Sequence, residues 1–134
     1  MASIRKDIAL AVKPDDLWDA VRDFGAVHTR VAPGFVVDTQ LDGDDARIVT
    51  FANGTVAREL LVDLDDTQRR LVYAVISERI KQHSASFQVI DDGDAGSRLV
   101  WMVDVLPHEI APYIRGQMDL AETALWNKFG RSGA

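Results

Sequence analysis

The sequence predicts an α+β protein in which one curved antiparallel sheet of seven strands wraps a long C-terminal helix. Three observations carry that prediction. Six strand-like runs follow one another between positions 35 and 106, as expected of a meander of strands. A seventh such run opens the chain, and the clusters "DGDD", "ANGT", "DDTQ" and "DDGDAG" between the later runs hold the residues that tolerate tight turns. After Pro107 the apolar spacing changes from two to three or four, and only this last segment is long enough to cover the apolar face of such a sheet.

The first strand is "SIRKDIALAV", with Ile4, Ile8, Leu10 and Val12 in one row, and Pro14 stops it. "KPDDLWDAVRDFG" follows as a helix: Leu17, Trp18, Val21 and Phe24 have helical spacing, Asp15 and Asp16 suit the positive end of its dipole, and Gly25 suits its stop. "AVHTRVAPGF" forms a second short helix or turn closed by Pro33 and Gly34. The meander then runs through "FVVDTQL", "ARIVTF", "VARELLVDL", "RRLVYAVI", "HSASFQVI" and "SRLVWMVDVL". The "SERIKQ" link lacks turn residues and reads as a loop at the rim of the sheet. In the last helix Ile114, Met118, Ala121, Leu125 and Phe129 form the apolar stripe, Pro112 fits the first turn, and "GRSGA" frays. No repeat or linker divides residues 1–134, so a single domain is expected.

Composition excludes several classes of function. The chain has no cysteine, which removes disulfides, thiolate metal sites and a cysteine nucleophile. A formal charge of −6 disfavours nucleic acid and anionic membranes, both of which want a basic face. No stretch approaches the ~18 apolar residues of a membrane span, and the N-terminal residues do not form a signal peptide. A cytoplasmic protein, monomer or homodimer, with no cofactor and no metal is expected: there is no H-E-x-x-H spacing, phosphate loop or G-x-S-x-G elbow.

The order of elements, with "DDLWDAVRDFG" after the first strand, "ARELLVDLDDTQRRLVYAV" mid-chain and "LVW" near the end, resembles the START-like, helix-grip superfamily. Within it the chain is similar to the SRPBCC group of polyketide cyclase/dehydrase and lipid-transport proteins, over residues 3 to 129. The resemblance implies an elongated apolar cavity between sheet and C-terminal helix, reached near the loops at 52–54 and 77–82. Such cavities hold lipids, sterols, hormones or aromatic polyketides. Some members catalyse cyclisation or dehydration and others only bind, so the fold does not choose between these. Ala121 and Ala124, small where tight packing would want bulk, also point to a cavity.

Cavity-facing polar residues therefore carry the functional question. In "HSASFQV" His83 shares the apolar row with Ala85, Phe87 and Val89. A histidine on an apolar face is either a hydrogen-bonded core residue or a ligand contact; the resemblance implies the contact. Alternation makes Leu60, Val62 and Leu64 the buried row and leaves Glu59 outside, whereas the resemblance to plant hormone receptors turns Ala57, Glu59 and Leu61 inward. The strand "LVWMVDVL" is apolar on both faces. If Trp101 points in, Asp104 points out; the receptors imply the reverse, with Met102, Asp104 and Leu106 inside. Arg47, opening a strand with Val49 and Phe51, either reaches inward or is solvated, and His28 lies in the segment expected to cap one end. Tyr73 is a further ligand contact or a structural residue, and Met118, Ala121 and Leu125 would form the roof.

Three functions follow. The first is a binding protein that encloses a small hydrophobic molecule, aromatic, polyketide-like or lipid-like. The second is a cyclase/dehydratase-type enzyme using His83 with Glu59 or Asp104 for acid/base chemistry. The third is a surface interaction module, suggested by the two-sided hydrophobicity of "RLVWMVDVL" and "RRLVYAVI".

Overall fold

A computed structural model describes residues 2–78 and 80–132 of the chain. The strands are β1 (Ser3–Leu10), β2 (Val36–Leu41), β3 (Ala46–Phe51), β4 (Val56–Asp65), β5 (Arg70–Ile76), β6 (Gln82–Asp91) and β7 (Ser97–Leu106). They form one open antiparallel sheet in the order β1-β7-β6-β5-β4-β3-β2. Helices α1 (Pro14–Arg22) and α2 (Val27–Arg30) follow β1, and α3 (Ala111–Phe129) ends the chain. This is the helix-grip arrangement of an α+β protein.

One row of each strand is buried. On β7 Leu99, Trp101, Val103 and Val105 point into the core, and on β6 Ala85, Phe87 and Val89 join them. From above, α3 supplies Ile114, Met118, Ala121, Ala124 and Leu125, at the three-to-four spacing of a helix stripe. Lys6 lies in the inward row of β1 between Ile4 and Ile8, where an apolar residue would be expected; its ammonium pairs with Asp119 and, at 3.3 Å, with Glu122 on α3. Those contacts fasten the helix along the β1 edge.

Helix α1 ends at Arg22, three residues before Gly25. Gly25 serves a different purpose: a Cβ there would sit 3.0 Å from Leu41 Cγ, so the glycine lets β2 approach the α1–α2 turn. Trp18 is buried, and its indole N–H donates to Asp66 Oδ1 at 2.9 Å in the β4–β5 turn. Arg22 Nε donates to the same oxygen at 2.8 Å, and the two donors hold the Asp66 carboxyl below its usual range.

Two bulges adjust the strand faces. One falls between Val36 and Asp38 on β2, the other between Leu61 and Asp63 on β4. At the second, Val62 is the extra residue and is 61% exposed, while Leu61 and Leu64 on either side both pack against the core. Neither simple row therefore describes β4: the phase changes halfway along it.

The far end of β1 is pinned from two sides. Ser97 Oγ donates to the Val12 carbonyl at 2.5 Å, and the Ala11 N–H donates to the Gly130 carbonyl at 2.9 Å. The residues expected to fray are thus held as far as Ser132, with a bridge from Arg131 to Leu10 and the Arg131 guanidinium over the Trp126 ring. Gly133 and Ala134 lie outside the described residues, as do Met1 and, in the "SERIKQ" link, Arg79.

Gly96 has φ 120°, and a Cβ there would meet the Leu10 carbonyl oxygen and, at 3.0 Å, the Val12 nitrogen. Gly96→Ala is expected to cost roughly 3 kcal/mol or more. Gly43 (φ 77°) has nothing within 4 Å of its Cβ position, so Gly43→Ala should cost only about 1–2 kcal/mol. Urea denaturation of the two variants measures the difference.

Candidate functional site: an apolar hollow with a buried ion pair

Between the sheet and α3 lies a hollow of about 160 Å³. Its floor comes from the inward rows of β3 to β7: Val49 and Phe51, Ala57, Val75, Phe87, then Trp101 and Val103. Ile114, Met118, Ala121 and Leu125 of α3 form the roof, while Val27 of α2 and Val31 just after it close one end. Thr55, Val56, Ser77 and Tyr113 are exposed and border the same space, which places its mouth at the β3–β4 turn, the 77–80 segment and the start of α3. Asn53 Nδ2 donates to the Tyr113 hydroxyl at 3.3 Å across that mouth.

Three aromatic rings on adjacent strands make up one wall. Tyr73 and Phe87 stand 5.8 Å apart between centroids, Phe87 and Trp101 5.0 Å, both pairs inclined by 27°. The Trp101 indole N–H donates to the Tyr73 hydroxyl at 3.3 Å. Burial, together with the nearby negative charge of Glu59, pushes the Tyr73 phenol far up, so it stays protonated.

The polar groups form a row across the sheet. Arg47 on β3 pairs in register with Glu59 on β4, Glu59 with Val75 on β5, and the pairing of Ala74 with Ser84 sets Val75 beside His83 on β6. Arg47 is 4% exposed and Glu59 6%. Arg47 Nε donates to Glu59 Oε1 at 2.8 Å, and Nη2 makes an ion-pair contact with the same oxygen at 2.7 Å. Nη1 donates to the Phe24 carbonyl at 3.1 Å, and the guanidinium lies 4.0 Å from the Phe24 ring centroid. A buried charge is tolerated only when paired and hydrogen-bonded, and this guanidinium has both kinds of support.

His83 is half-buried, with Nδ1 sealed from solvent and no partner among the described residues. Burial lowers its pKa; the Glu59 charge opposes that shift without cancelling it. The imidazole is therefore neutral at neutral pH.

The sequence-derived candidates divide accordingly. Arg47, Val49, Phe51, Glu59, Tyr73, His83, Phe87, Met118, Ala121 and Leu125 all border the hollow. Three do not. Asp104 is exposed on the outer face of β7 and accepts from Ser3 Oγ at 2.5 Å. Trp101 takes the inward row, which forces Asp104 outward on a strand with no bulge. His28 is half-buried on α2 but borders the hollow nowhere, because Val27 and Val31 occupy the turn that faces it. Ala85 is in the core, too short to reach past its neighbours. Tyr113 and Gln117 do border the hollow and were not anticipated; both are signalled by helix spacing, since Tyr113, Gln117 and Ala121 are four apart. Among the described residues no group of three His, Asp or Glu side chains converges as a metal site, and no helix is long and apolar enough to cross a membrane.

The sequence profile of the family described as polyketide cyclase/dehydrase and lipid transport matches residues 1–128. No curated protein matches the sequence. Among solved structures, the protein XoxI from Bacillus cereus superposes with a TM-score of 0.84 at 17% identity, covering 96% of each chain. A START superfamily protein from Mycobacterium smegmatis gives 0.71 at 12% identity, over 95% of this chain and 99% of the other. Norcoclaurine synthase from Thalictrum flavum, a point mutant solved with a transition-state analogue, gives 0.64 at 19% identity, over 92% and 90%. At such identities the likeness shows the fold alone.

Two outcomes are expected from this geometry. Arg47→Met strips Glu59 of both its donors and should destabilise the protein by about 3–5 kcal/mol, whereas Arg47→Met/Glu59→Leu should recover to within about 2 kcal/mol of the wild type. Urea denaturation of both variants tests this; a double variant as unstable as the single one would place the cost in the lost Phe24 contact. The second outcome concerns pH. The folded state binds the His83 proton more weakly than the unfolded chain, so stability should fall as pH drops below the ordinary histidine value of 6.5. Thermal midpoints between pH 7 and 5 should decline less steeply in His83→Gln.

Proposed function

The chain belongs to the polyketide cyclase/dehydrase and lipid transport family, and from that premise we propose that it binds a small, largely apolar aromatic molecule between the sheet and α3. The observation that carries this reading is the hollow itself: about 160 Å³, apolar on most sides and walled by Tyr73, Phe87 and Trp101. An apolar cavity of about 150 Å³ engineered in another protein takes up benzene. Pockets for drug-sized ligands are typically ~300–1,000 Å³. The volume thus favours a single-ring ligand over a sterol or a multi-ring polyketide. The stacked wall favours a flat ring, because a further ring can continue the offset arrangement of the three already present.

Benzene-class ligands should raise the thermal midpoint. At a concentration of 100 times Kd, a ligand that binds only the folded state adds about 2.7 kcal/mol, which is several degrees for a chain of this size. Ala121 lies in the roof and is 3% exposed. Ala121→Phe should fill the space and abolish the shift while leaving a cooperative unfolding transition. Differential scanning fluorimetry with toluene, alongside native mass spectrometry for a co-purified mass, tests the reading; no shift and no bound mass would refute it.

A second reading, an acid/base enzyme, rests on one observation: His83, whose Nδ1 has no partner among the described residues, borders the same hollow as Glu59. A neutral histidine is competent to take a proton from a carbon beside a carbonyl. Under this reading the protein accelerates deuterium exchange into the methyl group of acetophenone in D2O, followed by proton NMR, and His83→Gln abolishes it. A pure binding protein is stabilised by acetophenone and gives no exchange above background.

A further inference from the structure

Among the described residues, Glu59 is contacted at one of its two oxygens. Arg47 meets it at Oε1 through both Nε and Nη2, and among the described residues no hydrogen bond to Oε2 is seen, although the residue is 6% exposed and borders the hollow. An acceptor on a buried charged group is costly to leave without a donor. Beyond it in the same cross-sheet row comes Val75, which offers no polar atom, and then His83, whose Nδ1 has no partner among the described residues. Strands lie ~4.8 Å apart, so Glu59 and His83, two strands apart, flank a gap about 10 Å wide between backbones, floored by a valine. This gap is the polar end of an otherwise apolar space.

We propose that the ligand is an aromatic alcohol or phenol whose hydroxyl lies over Val75, donating to Glu59 Oε2 beside the His83 imidazole. The proposal rests on the binding reading above and narrows it to one chemical class. The group must be a donor, because Oε2 can only accept. A cationic donor fits poorly, since Arg47 already balances the Glu59 charge within the same row. A hydroxyl suits both neighbours: it donates to the carboxylate and keeps a lone pair for whichever ring nitrogen of a neutral imidazole carries the hydrogen. The Tyr73 hydroxyl accepts from Trp101, and no hydrogen bond joins it to Glu59.

Phenol, toluene and anisole separate the alternatives, because toluene has phenol's shape without a donor and anisole keeps the oxygen while only accepting. In a purely apolar hollow toluene binds tightest, since burying a hydroxyl without a partner is unfavourable. Isothermal titration of the full-length protein is expected to show phenol binding about tenfold or more tighter than either of the others, the contribution of a hydrogen bond to a charged acceptor. Toluene or anisole equal to phenol or tighter would overturn the proposal and leave the aromatic-binding reading standing. If none of the three binds, that reading falls too. In Arg47→Met/Glu59→Leu, checked for folding by urea denaturation, the order should reverse in favour of toluene; a retained preference for phenol would overturn the assignment to Glu59. The wild-type series decides the question even if that variant does not fold.

Discussion

The buried pairing of Arg47 with Glu59 is the interaction on which the interior arrangement depends. Two charges removed from water tolerate little displacement, because each hydrogen bond between them offsets a desolvation cost of several kcal/mol. Their demand fixes two things at once. It locks the register of β3 against β4, where the two residues are direct partners. It holds the Phe24 carbonyl, and with it the turn from α1 to α2, over the sheet.

Period alone revealed most of the architecture. The alternation in "HSASFQVI" placed His83, Ala85 and Phe87 on one face, and the helical spacing from Ile114 to Leu125 gave the roof. Glu59 shows where that signal stops. Counting by twos from Leu60, Val62 and Leu64 puts it outside, because the count crosses the bulge at Val62, where the strand changes phase. A bulge has no mark in a stretch such as "ARELLVDLD". Asp104 failed for another reason: with Val100, Trp101, Met102 and Val103 all apolar, both faces look buried. The deciding fact is the sheet order, which sets Trp101 against Phe87. His28 and Ala85 were misplaced by a side chain's reach, which no pattern encodes. The size of the hollow was equally illegible, for it is the small remainder of many packed volumes.

That volume changes what the family resemblance can mean for this chain. The fold accommodates ligands of very different size, and its strands do not determine which. Large residues from β6 and β7, Phe87 and Trp101, project into the space here and stack on one another. The same rings that occupy part of the space give it a flat wall.

The attachment of α3 has a consequence of its own. The helix is tied by Lys6 to β1, at one edge of the sheet, through Asp119 and Glu122, while at the mouth a single hydrogen bond joins Tyr113 to Asn53. The strands are held by their own backbone ladder and do not need the helix for register. The contacts that hold the scaffold and the side chains that line the hollow therefore reside largely in different parts of the chain. Sequence drift at positions 113, 117 and 121 can redraw the interior while the ladder and the β1 tether go on specifying the same scaffold.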